Sequence, residues 1–195
     1  MGSIERSDFY GVDGLLTAEE KERRDRVQVF VSDECMPVIA DHFDKGTFPM
    51  QVIPRMAEMG LFGVHVDGYG CKRTSETIYG LIYQELGRCD SGLRAMFSVQ
   101  NSLVMYPIHA FGSEDQERRW LPDMARGEAI GCFGLSEPDC GSNPAGMKTE
   151  AQKHGDRYIL NGIKMWITNG SIAHVALIWA KLEGEIRGFF ASGHF

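Results

Sequence analysis

The sequence predicts an α+β fold, with an all-helical N-terminal domain over residues 1–129 and an antiparallel β-domain over residues 130–195. In the first part, apolar residues recur at helical spacing and capping residues precede the apolar runs. In the second part, short segments rich in β-forming residues are separated by turn residues. Helices followed by strands, rather than alternating with them, indicate α+β.

The composition is typical of a globular protein. The chain has 195 residues, 43% of them hydrophobic and 24% charged, and a net charge of −7 without a basic stripe. We therefore expect no nucleic-acid partner, and no apolar run approaches the length of a membrane span. The five cysteines are scattered and odd in number, which argues against a disulfide framework or a metal site. No targeting segment is recognisable, so the expected location is cytoplasmic, or the mitochondrial matrix for a processed eukaryotic form.

Two predicted helices open the helical region. The sequence TAEE at residues 17–20 is a capping box, and it starts a helix that Pro37 is expected to end or nearly end. A second helix is expected from Pro49 to Gly60, because proline suits the first turn of a helix and glycine its end. A connection punctuated by glycines, residues 61–70, follows.

The third and fifth predicted helices are marked by their ends. Thr74 or Ser75 caps the third helix, and the sequence SEDQ at residues 113–116 is a second capping box that starts the fifth. The dipeptide Arg126-Gly127 closes the fifth helix, as glycine commonly does.

The fourth predicted helix, from the capping residue Asp90 to about Ala110, is unusually apolar. Apolar residues cover more than one of its faces, so we expect it to be central and mostly buried. Its polar exceptions are Arg94, Ser98, Gln100, Asn101 and Ser102.

The β-domain contains a series of strand-like segments. They are residues 130–135, 148–153, 157–160, 162–168 and 174–182. Turn residues between them predict an antiparallel meander, or one side of a barrel. The sequence stops after four or five strands, whereas a sheet normally needs closure or covering. We therefore expect this β-barrel to be incomplete.

The first two strands are joined by the loop GLSEPDCGSNPAG, residues 134–146. Its glycines, prolines, hydroxyls and acids would leave main-chain N–H groups free and let a ligand approach the backbone closely. A long structural turn collects the same residues, so both interpretations stay open on composition alone.

Three stretches together resemble the acyl-CoA dehydrogenase family, and most closely its glutaryl-CoA dehydrogenase branch. They are CDSGLRAMFSVQNSLVMYPIHAFGSEDQ (residues 89–116), CFGLSEPDCGSNPAGM (132–147) and LNGIKMWITNG (160–170). The family motif runs small or aliphatic residue, Ser or Thr, Glu, two variable residues, small residue, Gly, Ser, Asp. The loop fits this motif except at Cys140, where a smaller residue is usual, and at Asn143, where Asp is usual.

The resemblance implies an all-α domain, a middle β-barrel and a C-terminal four-helix bundle, with FAD held between them. It implies oxidation of the Cα–Cβ bond of an acyl-CoA, in which a glutamate base takes the Cα proton and the flavin takes a hydride from Cβ. That base belongs to the C-terminal part, and nothing in this sequence corresponds to it. We therefore expect no catalytic residue here and interpret the chain as the front half of an enzyme, inactive alone. The resemblance also implies an electron-transfer flavoprotein as acceptor and a homotetramer for the complete enzyme.

Carried over residue by residue, the resemblance places the flavin against two segments. Leu135 and Ser136 would hydrogen-bond its pyrimidine edge, Thr168 would reach toward N5, and Ser142 would also touch the CoA. Without the family context, Trp166 has the alternative of a plain core tryptophan. The full set of expected cofactor-binding residues is Phe133, Gly134, Leu135, Ser136, Gly141, Ser142, Trp166, Ile167 and Thr168.

Arg94 bears on specificity. In the glutaryl branch the matching arginine pairs with the distal carboxylate of the acyl chain, helped by the serine that matches Ser98. An arginine on an apolar helix needs a partner, and a guanidinium suits a carboxylate geometrically. The alternative is a structural ion pair with Glu85 or Asp90.

Two departures keep the substrate open. Gly87 and Ala95 stand where the glutaryl branch has glutamate and serine, so a dicarboxylyl-CoA and an ordinary short-chain acyl-CoA both remain candidates. An acyl-CoA oxidase would share the flavin chemistry. The alternative of another class is a non-catalytic remnant that binds flavin or acyl-CoA, or a partner of a full-length paralogue.

Overall fold

The computed structural model describes Asp8 and residues 10–192. The described α-helices precede the strands, which confirms the predicted α+β order. The α-helices are α1 Ala18–Phe30, α2 Met36–Lys45, α3 Ile53–Glu58, α4 Glu76–Cys89, α5 Ser91–Ser98, α6 Tyr106–Phe111 and α7 Glu114–Ala125. Short 3-10 turns lie at Val12–Leu15, Met50–Val52 and Pro144–Gly146. Among these described residues, no helix has both the length and the apolar character that crossing a bilayer requires.

The predicted caps are present. Thr17 and Ser113 each head a capping box in which the side chain of the third helical residue bonds back to the main chain of the cap. Ser75, rather than Thr74, caps α4, and Asp90 caps α5. All five cysteines are free thiols, in keeping with the absence of a disulfide framework from the sequence pattern.

The prediction that Pro37 ends the first helix is wrong. A π-helical turn, Val31–Cys35, carries the chain from α1 directly into α2, and Pro37 lies in the first turn of α2. The N–H of Met36 donates to the carbonyl of Val31, five residues back. A proline just after such a turn removes no N–H donor that the helix needs. A second π-helical turn, Val99–Met105, joins α5 to α6 in the same way.

The central position predicted for the helix after Asp90 is confirmed. Its apolar side chains are core residues, among them Leu93, Met96, Phe97 and Val104. Two of its polar residues can be buried because their side chains form hydrogen bonds with main-chain groups. Gln100 donates to the carbonyl of Ala129 at 2.9 Å and accepts from the N–H of Gly131 at 2.9 Å. Asn101 accepts from two main-chain N–H groups of the connection after α3.

Over residues 10–192, the sheet has five strands and is mixed. They are β1 Gly131–Gly134, β2 Glu150–His154, β3 Arg157–Asn161, β4 Val175–Leu182 and β5 Glu185–Ser192. β2–β3 and β4–β5 are antiparallel hairpins, whereas β1 and β2 both pair with β4 in parallel. The predicted meander is therefore wrong in its pairing. Pairing of β1 with β4 brings together strands far apart in sequence, which local turn residues do not specify.

Two further strand predictions differ from the structure. Residues 162–168 form no strand, because Gly162 crosses directly over Thr149 and Trp166 has a left-handed backbone with φ 61°. A Cβ at position 162 would lie 2.2 Å from the Thr149 Oγ1, so the chain there is fixed by a close approach rather than by a strand ladder. Strand β5 was not predicted.

Candidate active site

The loop of residues 134–146 and the segment of residues 162–168 lie side by side. The N–H of Met165 donates to the carbonyl of Ser136 at 2.9 Å, and the Lys164 Nζ donates to the carbonyl of Leu135 at 3.1 Å. The structure therefore brings together two segments that the family resemblance assigned separately to the cofactor.

The Glu137 carboxylate holds these segments together from below the surface. It accepts hydrogen bonds from the N–H of Lys148 at 2.6 Å, from the N–H of Thr149 at 3.0 Å, from the Thr149 Oγ1 at 2.5 Å and from the Lys164 Nζ at 2.8 Å. Burial alone would raise the pKa of Glu137, but these bonds together outweigh it and lower the pKa to about 2. A carboxylate so firmly ionised and surrounded is a poor proton acceptor, so its role is structural.

Lys164 and Thr149 are the residues of this network that sequence reasoning missed. Lys164 and Glu137 form an ion pair with almost no exposed side-chain surface. The sequence feature that could have pointed to Lys164 is its position between two apolar residues, Ile163 and Met165, in a segment interpreted as a strand.

Trp166 is the exposed aromatic residue of this surface. Its side chain is 87% exposed, whereas Ile167 and Thr168 are half-buried. The alternative of a core tryptophan is therefore contradicted. Its positive φ is uncommon for a residue with a side chain and costs on the order of 1 kcal/mol or more. An indole held in this way offers a flat face for stacking.

The remaining predicted cofactor residues lie on β1 and the loop. Phe133 is half-buried, packs against the core and meets the Trp179 ring edge-on with 6.0 Å between ring centroids. Gly134 is buried, while Gly141 and Ser142 are exposed on the loop. These loop residues are open to a ligand, whereas Phe133 supports the surface from the core side.

Arg94 and Ser98 lie one turn apart on α5 and contact tyrosines of α4. The Arg94 Nη1 donates to the Tyr83 hydroxyl at 2.5 Å, and the guanidinium carbon lies 4.7 Å from the Tyr83 ring centroid. The Tyr79 hydroxyl donates to the Ser98 Oγ at 3.3 Å. The structure thus places both predicted substrate residues on one side of α5.

The structural ion pairs considered for Arg94 are not formed. Glu85 pairs with Arg88 at 3.0 Å, and Asp90 serves as the cap of α5. Within the part of the chain that the structure describes, no carboxylate lies within ion-pair distance of the Arg94 guanidinium.

Two family models cover most of this chain. Residues 17–128 match "Acyl-CoA dehydrogenase, N-terminal domain" and residues 132–191 match "Acyl-CoA dehydrogenase, middle domain". The chain belongs to the acyl-CoA dehydrogenase family.

Curated relatives and solved structures agree with this family. The probable acyl-CoA dehydrogenase YngJ of Bacillus subtilis is 37% identical over 85% of this chain and 44% of the relative. Glutaryl-CoA dehydrogenase from Mycobacterium smegmatis is 51% identical with a TM-score of 0.90, over 95% of this chain and 48% of that one. A second structure, of a glutaryl-CoA dehydrogenase from the same organism in complex with FADH2, is 46% identical with a TM-score of 0.91. The match covers 94% of this chain and 48% of that one. This acyl-CoA dehydrogenase chain spans about half the length of the relatives it matches.

Proposed function

We propose that the protein is an FAD-dependent acyl-CoA dehydrogenase acting on a short acyl-CoA with a distal carboxylate, with glutaryl-CoA as the leading candidate. The observation that carries the substrate class is Arg94, half-buried on an apolar helix with no carboxylate of the described residues within ion-pair distance. A buried charge without a counter-charge is costly, and a ligand carboxylate would supply one. The likeness to glutaryl-CoA dehydrogenases supports the same assignment.

The surface formed by the loop and the Trp166 segment fits an FAD ring system. It combines an exposed indole, half-buried Leu135 and Ser136, and a half-buried Thr168 hydroxyl, held in register by the Glu137–Lys164 ion pair. Bound FAD would supply the hydride acceptor. In our proposal, Trp166 packs along the rings, Leu135, Ser136 and Thr168 donate hydrogen bonds, and Ser142 contacts the CoA.

Neither acid of the loop suits the role of the catalytic base. The Glu137 carboxylate is already surrounded by donors, and Asp139 is exposed and pairs with Lys148 at 2.7 Å. We propose that the base is supplied by a further part of the enzyme, so that these 195 residues are inactive alone. An electron-transfer flavoprotein as acceptor and a homotetrameric complete enzyme belong to the same proposal.

The test measures kcat/KM for glutaryl-CoA and butyryl-CoA in the full-length, flavin-loaded protein and in its Arg94→Ala variant. Loss of one partner of a desolvated charge pair costs a few kcal/mol, so kcat/KM for glutaryl-CoA should fall by roughly 100-fold. For butyryl-CoA, which offers no carboxylate, the change should stay within about threefold, since no such pair is lost. Arg119→Ala is the matched control, because Arg119 also stacks on an aromatic ring, that of Trp120 at 4.8 Å, but lies elsewhere.

Two results would contradict the proposal in different ways. Equal losses on both substrates would remove the carboxylate role of Arg94. A flavin-loaded wild-type protein that oxidises neither substrate would favour the non-catalytic binding protein.

A further inference from the structure

Gly131, the first residue of β1, joins the two parts of the candidate site. Its N–H donates to the Gln100 Oε1 at 2.9 Å, and its carbonyl accepts from the Asn169 Nδ2 at 2.9 Å. The preceding Ile130 faces the opposite way, where its carbonyl accepts from the N–H of His174 at 2.7 Å. In a strand, the N–H and the carbonyl of one residue point to the same side. Two side-chain amides therefore take the place of a neighbouring strand on the outer edge of β1.

Gln100 belongs to the helix that carries the proposed acyl-chain residues. It lies in the π-helical turn that follows α5, just beyond Ser98, and it is fully buried. The same turn packs directly on β1, because a Cβ at position 131 would lie 2.5 Å from the Val104 Cγ1. A side chain at Gly131 would force the strand away from the helix, so glycine is what permits this close approach.

Asn169 belongs to the segment that carries the proposed flavin residues. The N–H of Gly170 donates to the carbonyl of Ile167 at 3.0 Å, which closes a β-turn with Thr168 and Asn169 at its centre. Asn169 has a left-handed backbone with φ 67°, a conformation that asparagine adopts more readily than most residues. In so tight a turn, a displacement of Asn169 also displaces Thr168.

We propose that Asn169 is a positioning residue: its bond to Gly131 fixes the flavin segment against the acyl-chain helix, and so sets how the substrate Cα–Cβ bond approaches the hydride acceptor. This inference rests on the proposed function, because it assigns the two segments to substrate and cofactor. Two hydrogen bonds of 2.9 Å, with one residue between them, connect Gln100 to Asn169. Reaction rates depend steeply on such placement, and a displacement of about 1 Å can cost roughly 100-fold.

The bonds that hold the flavin surface together do not involve Asn169. The N–H of Met165 donates to the carbonyl of Ser136, and Lys164 forms its ion pair with Glu137. Loss of the Asn169 bond should therefore shift this surface as a unit relative to the helix, with its contacts to a cofactor kept. The rate of the reaction and the affinity for FAD should then respond differently to changes at position 169.

The first test is Asn169→Gly in the full-length protein, since glycine accepts the left-handed backbone and only the side chain is lost. Excess glutaryl-CoA or butyryl-CoA, whichever reduces the wild type faster, is mixed anaerobically with the flavin-loaded variant. The limiting rate constant for flavin bleaching should fall roughly tenfold or more. The dissociation constant for FAD, measured by titrating the apoprotein, and KM for the acyl-CoA should stay within about threefold, because the binding contacts are kept.

Glu183→Gly is the matched control. Glu183 also has a left-handed backbone, with φ 52°, and it is exposed in the turn between β4 and β5. That turn follows the end of β4, whereas Gly131 pairs with the first residue of β4, Val175. The bleaching rate, the dissociation constant for FAD and KM should all stay within about twofold of the wild type, as for other surface substitutions.

Asn169→Asp tests the hydrogen bond itself. Aspartate keeps the size of the side chain and tolerates the left-handed backbone, but its ionised carboxylate only accepts hydrogen bonds and would face the Gly131 carbonyl. Repulsion is then added to the loss of the bond, so flavin bleaching should be slower than in Asn169→Gly. An Asp variant that is reduced as fast as the wild type would overturn the donor role of Asn169.

Failure of this inference and failure of the proposed function give different results. If Asn169→Gly is reduced as fast as the wild type, the positioning role is wrong and the proposed function stands. The same holds if its affinity for FAD falls as far as its bleaching rate, because Asn169 would then support cofactor binding rather than alignment. If neither acyl-CoA reduces the flavin of the wild type, the proposed function fails and the inference fails with it.

Discussion

The Glu137 carboxylate joins three separate parts of the chain: its own loop, the residues that lead into β2, and the segment that carries Trp166. Donors from Lys148, Thr149 and Lys164 keep it ionised although it is almost fully buried. A lowered folded-state pKa means that the unfolded chain binds the proton more readily than the folded one. The stability this group contributes is therefore present above its unfolded pKa near 4.5 and is lost as the pH falls toward about 2.

Glu137→Gln tests this contribution through its pH dependence. At pH 7 the variant should lose about 3 kcal/mol of unfolding free energy, the equivalent of the pKa shift. The difference in unfolding free energy between wild type and variant should be smaller at pH 3, which lies between the folded-state and unfolded-state pKa values of Glu137. Urea unfolding at both pH values measures it, with Asp139→Asn as control, since that carboxylate is exposed. A gap of the same size at pH 7 and pH 3 would show that the charge is not what stabilises the site.

At the scale of elements, local chemistry predicted helix starts well. Thr17, Ser75, Asp90 and Ser113 cap through bonds to residues two or three positions on, so a short stretch of sequence carries the whole signal. Residues 162–168 were mispredicted because their path depends on Thr149, which follows the loop and precedes β2, and not on their own β-forming composition.

The attachment of β1 to the central helix is also non-local and can be tested. Gln100 bonds to both the carbonyl of Ala129 and the N–H of Gly131, and it is fully buried. Gln100→Leu keeps the volume but leaves both main-chain groups without this partner, which should cost about 3 kcal/mol of unfolding free energy. Thermal and urea unfolding measure the loss, and Gln84→Leu on the exposed face of α4 is the control. A loss below about 1 kcal/mol, the net value of one ordinary hydrogen bond, would mean that water or other groups replace these bonds.

At the scale of the whole molecule, the candidate site depends on contacts that no single stretch of sequence contains. The family motif identified Trp166 and the loop, and the apolar context of α5 singled out Arg94. Sequence reasoning did not find Tyr83, because its relation to Arg94 comes from the packing of α4 on α5. It did not find the parallel pairing of β1 with β4 either, since the two strands are joined by no short turn.

The surface that carries Trp166 sets an expectation for the 195-residue chain by itself. The indole is 87% exposed, and the neighbouring Ile163 and Met165 are exposed as well. A cofactor on this surface would be contacted from one side, which gives it little of the burial that small-ligand sites usually provide.

We therefore expect the chain, purified without added flavin, to show no flavin absorption bands, whereas the full-length protein should show bands that an acyl-CoA bleaches. Flavin bands in the short chain that do not bleach would mean that these residues suffice for binding but not for chemistry. Bleaching in the short chain would show that it contains a base, and would contradict the structural role given to its buried acids.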